Sequence, residues 1–460
     1  MQAMPHLIHL YRPGPRSDVR RLPSPPSHPL WGHAQHFGED SLPFLSDCAR
    51  RFGRMVPLRL GHKRCLLLTQ ASDVAAMMRR PNDFAKGREA KLAALVVGEG
   101  MIQSNGQAWH RSRKRLKGLF AAESMAEHAR LMQSKSAQTT AHLPMNTPVD
   151  AQKLAMQHTL SVLSESLLGL PSNSTLVSHV QRLVEASMEW WLANRSTGFL
   201  IPFALPLPRN RALRQIRTDL DRELMPLLRA RRRMDSSDTH PRDALTMILE
   251  TCNGRISDQA LRGEFLNLMI AGYHTSALLL TWSMAHLARA PQLQAKMALE
   301  AQQLLAHMPQ GRSDTSCTVS DVNRAPLLDR FVKEVMRLYP PAPLVFRATT
   351  RDVILEAMRI PKGWSILFSI RWLHHDPQFF ASPYTFMPER WTGELEKKLP
   401  RGQYVPLGFG PRACIAGRFG TLSIKLFLAH LLAHTRLTLT DTQHSTAIRE
   451  HVFLEPSQPI

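Results

Sequence analysis

Residues 266–288 form a long stretch of mostly apolar side chains. A stretch of this length folds either as a membrane-spanning helix, which needs about 20 apolar residues, or as a helix inside a large domain. Polar residues such as His274, Thr275 and Ser276 interrupt it, and Ser257-Asp258 upstream is a typical helix start. The pattern therefore predicts an interior helix whose small and polar residues face a functional site.

Helical periodicity dominates residues 148–338, and short strand-like segments lie on either side of this region. The predicted strands cover residues 55–60, 65–69, 353–360 and 437–439. We detect no internal repeat, and 43% hydrophobic residues suffice to bury a large core. The sequence predicts a mainly α fold with a small β region (α+β). A single large domain of residues 28–460 is expected to follow an extended or partly disordered arm of residues 1–27, which contains proline and arginine.

The segment from Pro406 to Gly417 reads PLGFGPRACIAG and places one cysteine, Cys414, behind a glycine-rich turn. Glycine permits backbone conformations and close approaches that a Cβ would block, so peptide N–H groups can point at the sulfur. A helix is predicted over residues 415–433, and its positive end also favours an ionised Cys414. Arg412 supplies a planar cation suited to a carboxylate. The segment therefore predicts a site that holds a thiolate.

A single thiolate suits haem better than it suits zinc. Structural zinc takes four Cys or His ligands in paired spacings. The other four cysteines stand singly in the chain, at Cys48, Cys65, Cys252 and Cys317. Haem iron needs only one protein thiolate, because the porphyrin supplies four ligands. A nucleophilic cysteine stays open as an alternative, although the segment offers no histidine base.

On these residues the chain resembles the cytochrome P-450 superfamily. The haem-binding signature of that family, F-x-x-G-x-R-x-C-x-G, falls on Leu407, Gly410, Arg412, Cys414 and Ala416. Two positions depart from it: Leu407 stands for the usual phenylalanine, and Ala416 for the last glycine, with Gly417 one place later. The resemblance implies that Cys414 is the axial ligand of the haem iron and that Leu407 and Gly410 belong to the haem-binding turn.

Two further motifs match the family in the same order. Glu334 and Arg337 form its E-x-x-R pair, whose i to i+3 spacing places both side chains on one helical face. Residues 387–391, MPERW, resemble its P-E-R-F segment and contribute Arg390. As a surface ion pair these residues would add little stability. The resemblance implies instead a buried Glu334–Arg337–Arg390 network that is costly to break.

Residues 271–275, AGYHT, resemble the family motif A-G-x-[D/E]-T, which lies midway along the helix on the distal side of the haem. Ala271 and Gly272 are thereby implied to leave room for O2, and the Thr275 hydroxyl to assist its activation. His274 replaces the usual acidic residue. An imidazole can transfer protons near neutral pH, although a lone histidine in an apolar helix is more often a core residue. A proton-transfer role for His274 is therefore a hypothesis.

Basic and aromatic residues elsewhere match family positions that contact the haem propionates. Trp109 and Arg113 resemble the W-x-x-x-R motif, and their i to i+4 spacing puts indole and guanidinium on one helix face. An exposed basic helix would explain the charges but not the tryptophan. Arg347, after a PPAP segment, stands where family members often place another such arginine. The resemblance implies that the propionates are held by Trp109, Arg113, Arg347 and Arg412.

The implied function is a haem-thiolate monooxygenase that uses haem b, O2 and two electrons to hydroxylate or epoxidise a lipophilic substrate. Polyketides, terpenoids and fatty acids of secondary metabolism are the expected substrate classes. A haem-thiolate isomerase or dehydratase that does not use O2 is the alternative, which Thr275 disfavours and the replacement of the acid by His274 keeps open. A basic binding protein on the same scaffold is a third possibility.

By family position an apolar pocket is expected to be lined by residues 86–102, 185–208, 266–275 and 343–349. Within it, Trp190 either lines the pocket or packs in the core.

The formal net charge of +21 raises the question of a nucleic-acid partner. The basic residues are spread along the chain, for example in residues 229–233, and accompany no recognised nucleic-acid-binding fold. We therefore expect no specific nucleic acid. The family implies a separate electron donor, and an acidic ferredoxin or flavodoxin with its reductase would be attracted to cations near the proximal haem face. Those cations are expected to be Arg111, Lys114, Arg115, Arg418 and Lys425.

The N-terminus begins MQAMP, without the apolar anchor of about 20 residues found in microsomal relatives and without a signal peptide. The chain ends soon after the predicted helix of residues 415–433, so no fused reductase is expected. Irregularly spaced cysteines fit a reducing compartment. These features predict a cytoplasmic enzyme of bacterial type without a membrane span.

Overall fold

The computed structural model describes residues 17–195, 202–233, 243–308, 322, 324–440, 447–450 and 453–460. Its main helices are α1 (Ala34–Glu39), α2 (Ser41–Phe52), α3 (Ala71–Met78), α4 (Arg88–Val97), α5 (Gly106–Lys117), α6 (Ala122–Ala141), α7 (Ala151–Leu168), α8 (Thr175–Arg195), α9 (Pro208–Arg233), α10 (Ala244–Thr251), α11 (Asp258–Arg289), α12 (Pro291–His307), α13 (Pro326–Leu338), α14 (Ile370–His374), α15 (Leu395–Lys398) and α16 (Gly417–His434). Its strands are β1 (Ser17–Asp18), β2 (Met55–Leu60), β3 (Lys63–Leu68), β4 (Phe84–Ala85), β5 (Leu344–Thr349), β6 (Val353–Leu355), β7 (Met358–Ile360), β8 (Ser365–Ser369), β9 (Ile448–Glu450) and β10 (Leu454–Pro456). The predicted mainly α fold with a small β region is confirmed.

The interior of the helical part is built around α11, which packs against α7, α8, α9, α10, α12, α13 and α16. Ser257 caps its first turn by accepting a hydrogen bond from the Ala260 N–H at 3.2 Å. With 32 residues the helix is about 48 Å long. Leu266 and Trp282 within it are fully buried by other helices. Burial against these helices confirms the prediction of an interior helix. No helix among the described residues is long and apolar enough to cross a membrane.

The larger sheet has the strand order β2-β3-β8-β5-β4, in which only β3 and β8 run parallel. Along β3 the side chains alternate between its faces: Leu66 and Leu68 join one apolar cluster, and Cys65 and Leu67 join another. Burial on both faces explains the continuous apolar run of this strand. The sheet also contributes to the site. Because Ala85 pairs with Ala348, Lys86, which follows β4, is brought near Arg347.

The part of the predicted arm that is described, residues 17–27, is attached to the folded domain. Strand β1 pairs in parallel with β7, and Val19 beside it is fully buried in an apolar cluster of the sheet region. Asp18 accepts hydrogen bonds from Arg20 and from Arg359 of β7. Residues 1–16 lie outside the described residues. The arm therefore packs on the domain from Ser17 onward.

The predicted strand over residues 437–439 is wrong, because a side chain occupies the backbone groups it would need. Gln294 of α12 accepts a hydrogen bond from the Leu437 N–H at 2.7 Å and donates to the Leu437 carbonyl oxygen at 3.0 Å. The C-terminal hairpin instead consists of β9 and β10, which pair antiparallel. Strand β10 of this hairpin contacts α11.

Two arginines of the basic run at the end of α9 form ion pairs within the protein. Arg231 forms an ion pair of 2.5 Å with Asp243, and Arg232 forms one of 2.9 Å with Asp258. Arg232 also donates to the Ile256 carbonyl oxygen at 2.6 Å. These contacts hold α9 on the junction between α10 and α11, which supports the expectation that this run does not bind nucleic acid.

Candidate active site

The centre of α11 presents an accessible face in a helix that is otherwise largely buried. Ala271 is exposed and Thr275 is half-buried, whereas Tyr273 and residues 277–281 are buried. The Thr275 hydroxyl donates to the Ala271 carbonyl oxygen at 2.7 Å. Its oxygen keeps its capacity to accept a hydrogen bond. Ala271 and Thr275 therefore stand together on one face, as the motif predicts.

Gly272 faces a neighbouring helix. A Cβ at this position would lie 2.8 Å from Leu163 Cδ2 on α7. Glycine therefore allows α7 and α11 to approach closely. The resemblance implied that Gly272 leaves room for O2, but the geometry assigns its missing side chain to helix packing, and Ala271 is the small residue on the accessible face.

The segment before Cys414 folds as a tight turn because two glycines adopt left-handed conformations. The φ angle is 75° at Gly408 and 71° at Gly410. A Cβ on Gly410 would lie 2.8 Å from the Met78 carbonyl oxygen, so a larger residue does not fit between this turn and α3. The Cys414 N–H donates to the Leu407 carbonyl oxygen at 2.8 Å and closes the turn. The glycine-rich turn expected from the sequence is present.

One of the two departures from the family signature, Leu407, packs against Gly417. A Cβ on Gly417 would lie 3.0 Å from Leu407 Cδ1 and 4.0 Å from Cys414 Cβ. Leu407 therefore occupies space that a side chain at position 417 would need. A larger residue at 417 would require Leu407 to shift.

Cys414 is accessible, but the protein alone favours its neutral thiol. Burial among neighbouring protein atoms raises the pKa of Cys414 above its ordinary value, although the Ala416 N–H and the charge of Arg113 act to lower it. Helix α16 begins at Gly417 and not at residue 415, so Cys414 lies before the helix and gains less from its positive end. The predicted helix start at residue 415 is therefore two residues too early, and ionisation of Cys414 stays a prediction. A coordinated metal cation would supply the missing stabilisation, because coordination deprotonates a thiol.

Cys414 and the accessible face of α11 lie near one helix crossing. Helices α11 and α16 meet where a Cβ on Gly420 would be 3.6 Å from Ser276 Oγ. Thr275 directly precedes Ser276, and Cys414 lies in the turn that leads into α16. The thiol and the small and polar residues of α11 therefore contribute to one site from two elements.

Glu334, Arg337 and Arg390 form one buried network. Arg337 binds the Glu334 carboxylate through Nε at 2.9 Å and Nη2 at 2.8 Å, and Arg390 Nε donates to it at 2.9 Å. Trp391 Nε1 donates to the same carboxylate at 2.9 Å, as does the Met387 N–H. The network implied by the resemblance is present, and these residues are not a surface ion pair.

The network keeps Glu334 ionised and supports the chain that leads to Cys414. Burial by itself raises the pKa of Glu334, but hydrogen bonds from Arg337 and its charge, with the Met387 N–H and Arg390, outweigh burial and lower the pKa below its usual value. On the same helix, α13, the Lys333 carbonyl oxygen accepts a hydrogen bond from the Tyr404 hydroxyl at 3.0 Å. The turn that carries Cys414 begins just after Tyr404.

Trp109 lies between two guanidinium groups. Arg412 Cζ is 4.6 Å from the centre of its ring and Arg113 Cζ is 5.7 Å from it. Arg113 also donates to the Ala413 carbonyl oxygen at 3.1 Å, directly beside Cys414. Helix α5 is thereby fixed against the cysteine turn, with Trp109 buried.

Cations gather around this tryptophan without compensating carboxylates. Burial, and then the charge of Arg412, lower the pKa of Arg347 to about 10, and burial with the charge of Arg113 lowers that of Arg412 to about 10. Within the described ranges no Asp or Glu lies at ion-pair distance from Arg113, Arg347 or Arg412. Arg412 Nε is also buried without a hydrogen-bond partner. Such an arrangement fits an anionic ligand.

Lys86 belongs to this cluster although the sequence did not single it out. Burial, followed by the charges of Arg347 and Arg412, lowers the pKa of Lys86 to about 7. Asn105 Oδ1 accepts hydrogen bonds from the Lys86 N–H at 2.8 Å and from Arg412 Nη2 at 3.0 Å. The only signal for Lys86 is the strand register that places it opposite Arg347, and this register is not visible in the sequence. Like charges directly opposite each other are destabilising unless a counter-charge binds.

His274 has a partner that the sequence did not predict. Its Nε2 atom lies 2.8 Å from Glu455 Oε1 on β10. His274 is therefore more than a simple core residue, because a carboxylate from the other end of the chain holds its imidazole. Of the predicted pocket residues, Trp190 packs in the core with Nε1 donating to Asn210 Oδ1 at 2.8 Å, and residues 196–201 lie outside the described residues.

The donor set fits haem. One accessible thiol can bind iron, and the described residues contain no cluster of three or more His, Cys, Asp or Glu side chains that could bind a metal ion instead. Uncompensated cations beside the thiol match the two propionates of haem. The accessible face of α11 supplies small and hydroxyl-bearing residues to the same site.

Comparison with known proteins agrees with this assignment. Residues 22–460 match the family model of cytochrome P-450. The chain is 28% identical over 425 residues to cyclooctatin synthase of Streptomyces melanosporofaciens, with 91% of this chain and 90% of that protein covered. It is 23% identical over 451 residues to cytochrome P-450 4d2 of Drosophila melanogaster, with coverage of 90% and 88%. It is 24% identical over 419 residues to cyclooctat-9-en-7-ol 5-monooxygenase of Streptomyces melanosporofaciens, with coverage of 90% and 89%. Because the family model matches nearly the whole chain, this protein belongs to the cytochrome P-450 family.

Proposed function

We propose that this enzyme is a haem-thiolate monooxygenase of secondary metabolism that inserts one atom of O2 into a lipophilic substrate. The family binds haem through a cysteine thiolate and takes electrons from a redox partner. The reaction converts substrate RH, O2, two electrons and two protons into ROH and water, or an alkene into its epoxide and water. The observation that carries the proposal is the accessible Cys414 thiol beside uncompensated buried cations.

In this proposal the Cys414 thiolate would hold the iron of haem b. A bound haem with a thiolate ligand supplies the chemistry that cleaves the O–O bond. Leu407 and Gly410 hold the turn that presents the sulfur, while Glu334, Arg337 and Arg390 support it from α13 and the preceding segment. The propionates would be bound by Trp109, Arg113, Arg347 and Arg412.

The residues of α11 would act on the opposite side. Ala271 keeps this face open, and the Thr275 hydroxyl, which donates to the Ala271 carbonyl oxygen, would accept a hydrogen bond on this face. Gly272 allows the helix to approach α7. His274 stands where the family motif has an acidic residue, and its imidazole is held by Glu455.

Removing one of these cations should stabilise the haem-free protein and weaken its binding of haem. In Lys86→Met the lost charge relieves repulsion from Arg347 and Arg412, so the haem-free protein should unfold at a higher urea concentration at neutral pH. Haem affinity should fall by about 10- to 100-fold, because one charged contact to a propionate is lost. Arg211→Met, an exposed arginine of α9, is the control. Unchanged haem affinity in Lys86→Met would contradict the proposal that Lys86 acts with Arg347 and Arg412 on a propionate.

We further propose that the electron donor is an acidic ferredoxin or flavodoxin that docks beside the cysteine turn. The structure changes the expected set of cations: Lys425 is buried and paired with Asp329 at 2.6 Å, and Arg115 is paired with Glu264 at 3.4 Å. Arg111, Lys114 and Arg418 remain exposed on α5 and α16, the helices that flank Cys414.

Charge reversal should test this surface. Lys114→Glu and Arg418→Glu together should slow reduction by an acidic ferredoxin at least about tenfold at low ionic strength, and added salt should slow the unmodified enzyme. Stopped-flow reduction in carbon monoxide measures both rates. Arg211→Glu serves as the charge-matched control. Equal rates in the double variant and the control, or reduction insensitive to salt, would contradict the docking surface.

We propose the substrate class from the names of the related proteins. One of them carries a name that describes monooxygenation of a cyclic alkenol, so apolar terpenoid-like alkenes and alkenols are the first candidates, followed by polyketides and fatty acids. Incubation with such a panel, a reductase system and 18O2 should incorporate one labelled atom per product. Substrate conversion that needs neither O2 nor reductant would indicate the isomerase or dehydratase alternative. The cytoplasmic location stays a prediction, which cell fractionation tests.

A further inference from the structure

His274 and Glu455 meet across elements that are distant in the chain. The pair is separated by 181 residues and joins the centre of α11 to β10, with Nε2 and Oε1 2.8 Å apart. The two side chains are 9% and 17% exposed. Phe453 lies over the imidazole with a ring-centre distance of 5.1 Å. A mostly buried contact of this kind restricts both the position and the rotation of the imidazole.

The carboxylate also determines which ring nitrogen carries a proton. An ionised carboxylate only accepts hydrogen bonds, so His274 Nε2 is the donor in this pair. In the neutral ring Nδ1 is then the acceptor, and it has no hydrogen-bond partner among the described residues. A histidine oriented by a carboxylate in this way can take up a proton at its second nitrogen and release it again.

Glu455 is held in place by contacts that do not involve His274. Trp282 Nε1 donates to the carbonyl oxygen of Leu454, the preceding residue, at 2.9 Å. The carbonyl oxygen of Ile460 accepts a hydrogen bond from the Ala151 N–H of α7 at 2.6 Å. Strand β10 is also paired with β9. The C-terminal segment therefore presents the carboxylate to α11 from a fixed position.

We propose that Glu455 is a positioning residue that orients His274, and that the His274–Glu455 pair supplies protons beside Thr275 in place of the acidic residue typical of the family motif. The inference rests on the proposed monooxygenase function. Each turnover takes up two protons, and O2 that accepts two electrons and two protons without insertion leaves as H2O2. A misplaced imidazole should therefore shift electrons from product to H2O2.

The first test measures coupling in the full-length holoenzyme. Glu455→Gln keeps the size of the side chain but removes its charge, and we expect the ratio of product to H2O2 to fall by about tenfold or more. Glu455→Asp should recover part of this ratio, since it restores the carboxylate. Trp282→Phe removes the hydrogen bond to the Leu454 carbonyl oxygen and keeps an aromatic side chain, so it reports on loosening of β10 with His274 and Glu455 both present. An unchanged ratio in Glu455→Gln, or the same fall in Trp282→Phe, would overturn the proposal.

The second test does not depend on turnover. Urea unfolding of the Glu455→Gln and His274→Asn variants and of the double variant should be non-additive, because either change alone breaks the pair. Additive effects would mean that no interaction exists in solution and would overturn the proposal. Failure of the monooxygenase function can be distinguished from failure of the role assigned to the pair. A wild-type protein without thiolate-ligated haem would contradict the monooxygenase function itself, whereas a normal spectrum with unchanged coupling in Glu455→Gln would contradict only the role of the pair.

Discussion

Replacing Cys414 with serine should abolish the thiolate spectrum and lower product formation by at least about 1000-fold, which corresponds to about 4 kcal/mol in activation free energy. The serine hydroxyl is a weaker and neutral ligand, so iron would lose the electron donation that favours O–O cleavage. Folding should be little affected, because Cys414 is exposed and its backbone contact to Leu407 does not involve the side chain. Circular dichroism should therefore show an unchanged helix content.

The matched control is Cys252→Ser. Cys252 follows the last residue of α10, is only partly buried and takes no part in the proposed site. Its replacement should leave the spectrum and product formation unchanged. Equal activity in Cys414→Ser and Cys252→Ser would contradict the assignment of the axial ligand. A nucleophilic role for Cys414 would be indicated if the serine variant kept the thiolate spectrum but lost activity.

Replacing Glu334 with glutamine should lower the free energy of unfolding by about 3–5 kcal/mol, because two buried guanidinium groups lose their counter-charge. Arg337 is fully buried and the Arg390 side chain is 5% exposed, so water cannot replace the carboxylate. The control lies on the same face of the protein. Glu396→Gln breaks an ion pair of 2.6 Å with Lys333, but Glu396 is 55% exposed, and the expected loss is about 0–1 kcal/mol. Urea denaturation followed by circular dichroism compares the two.

Acidification should reduce the difference between the wild type and Glu334→Gln. The network lowers the pKa of Glu334, so its contribution is complete above the ordinary value of 4.5 and is lost as the pH falls through the lowered value. The difference in unfolding free energy should therefore be constant from neutral pH to about pH 5 and shrink only below pH 4.5. A difference that already shrinks near neutral pH, or a loss no larger than that of Glu396→Gln, would show that the carboxylate is not the counter-charge of this network.

The parts of the site that could be predicted from the sequence are those encoded within one short segment. The turn before Cys414 depends on Gly408 and Gly410, and the Glu334–Arg337 pair depends on helical spacing, so both are visible locally. The long helix α11 follows from its apolar length and its serine cap. These features depend on propensity and periodicity, which act over a few residues.

The residues that were missed depend on contacts between distant parts of the chain. Lys86 joins the cationic cluster through the pairing of β4 with β5, and Glu455 reaches His274 from a strand at the other end of the protein. The start of α16 at Gly417 was placed two residues too early for a related reason, because helix boundaries depend on packing as well as on the local sequence. The neighbouring atoms that raise the pKa of Cys414 likewise belong to the folded structure and are not visible in the segment itself.

The central claim is that Cys414 binds haem iron as a thiolate, and the absorption spectrum of the reduced, carbon-monoxide-bound protein tests it most directly. The purified chain, reconstituted with haem b and reduced under carbon monoxide, should show the strongly red-shifted Soret band of thiolate-ligated haem, and Cys414→Ser should lose this band while Cys252→Ser retains it. A Soret band at the shorter wavelength of haem with a neutral ligand in the wild-type protein, or a red-shifted band that persists in Cys414→Ser, would contradict the claim.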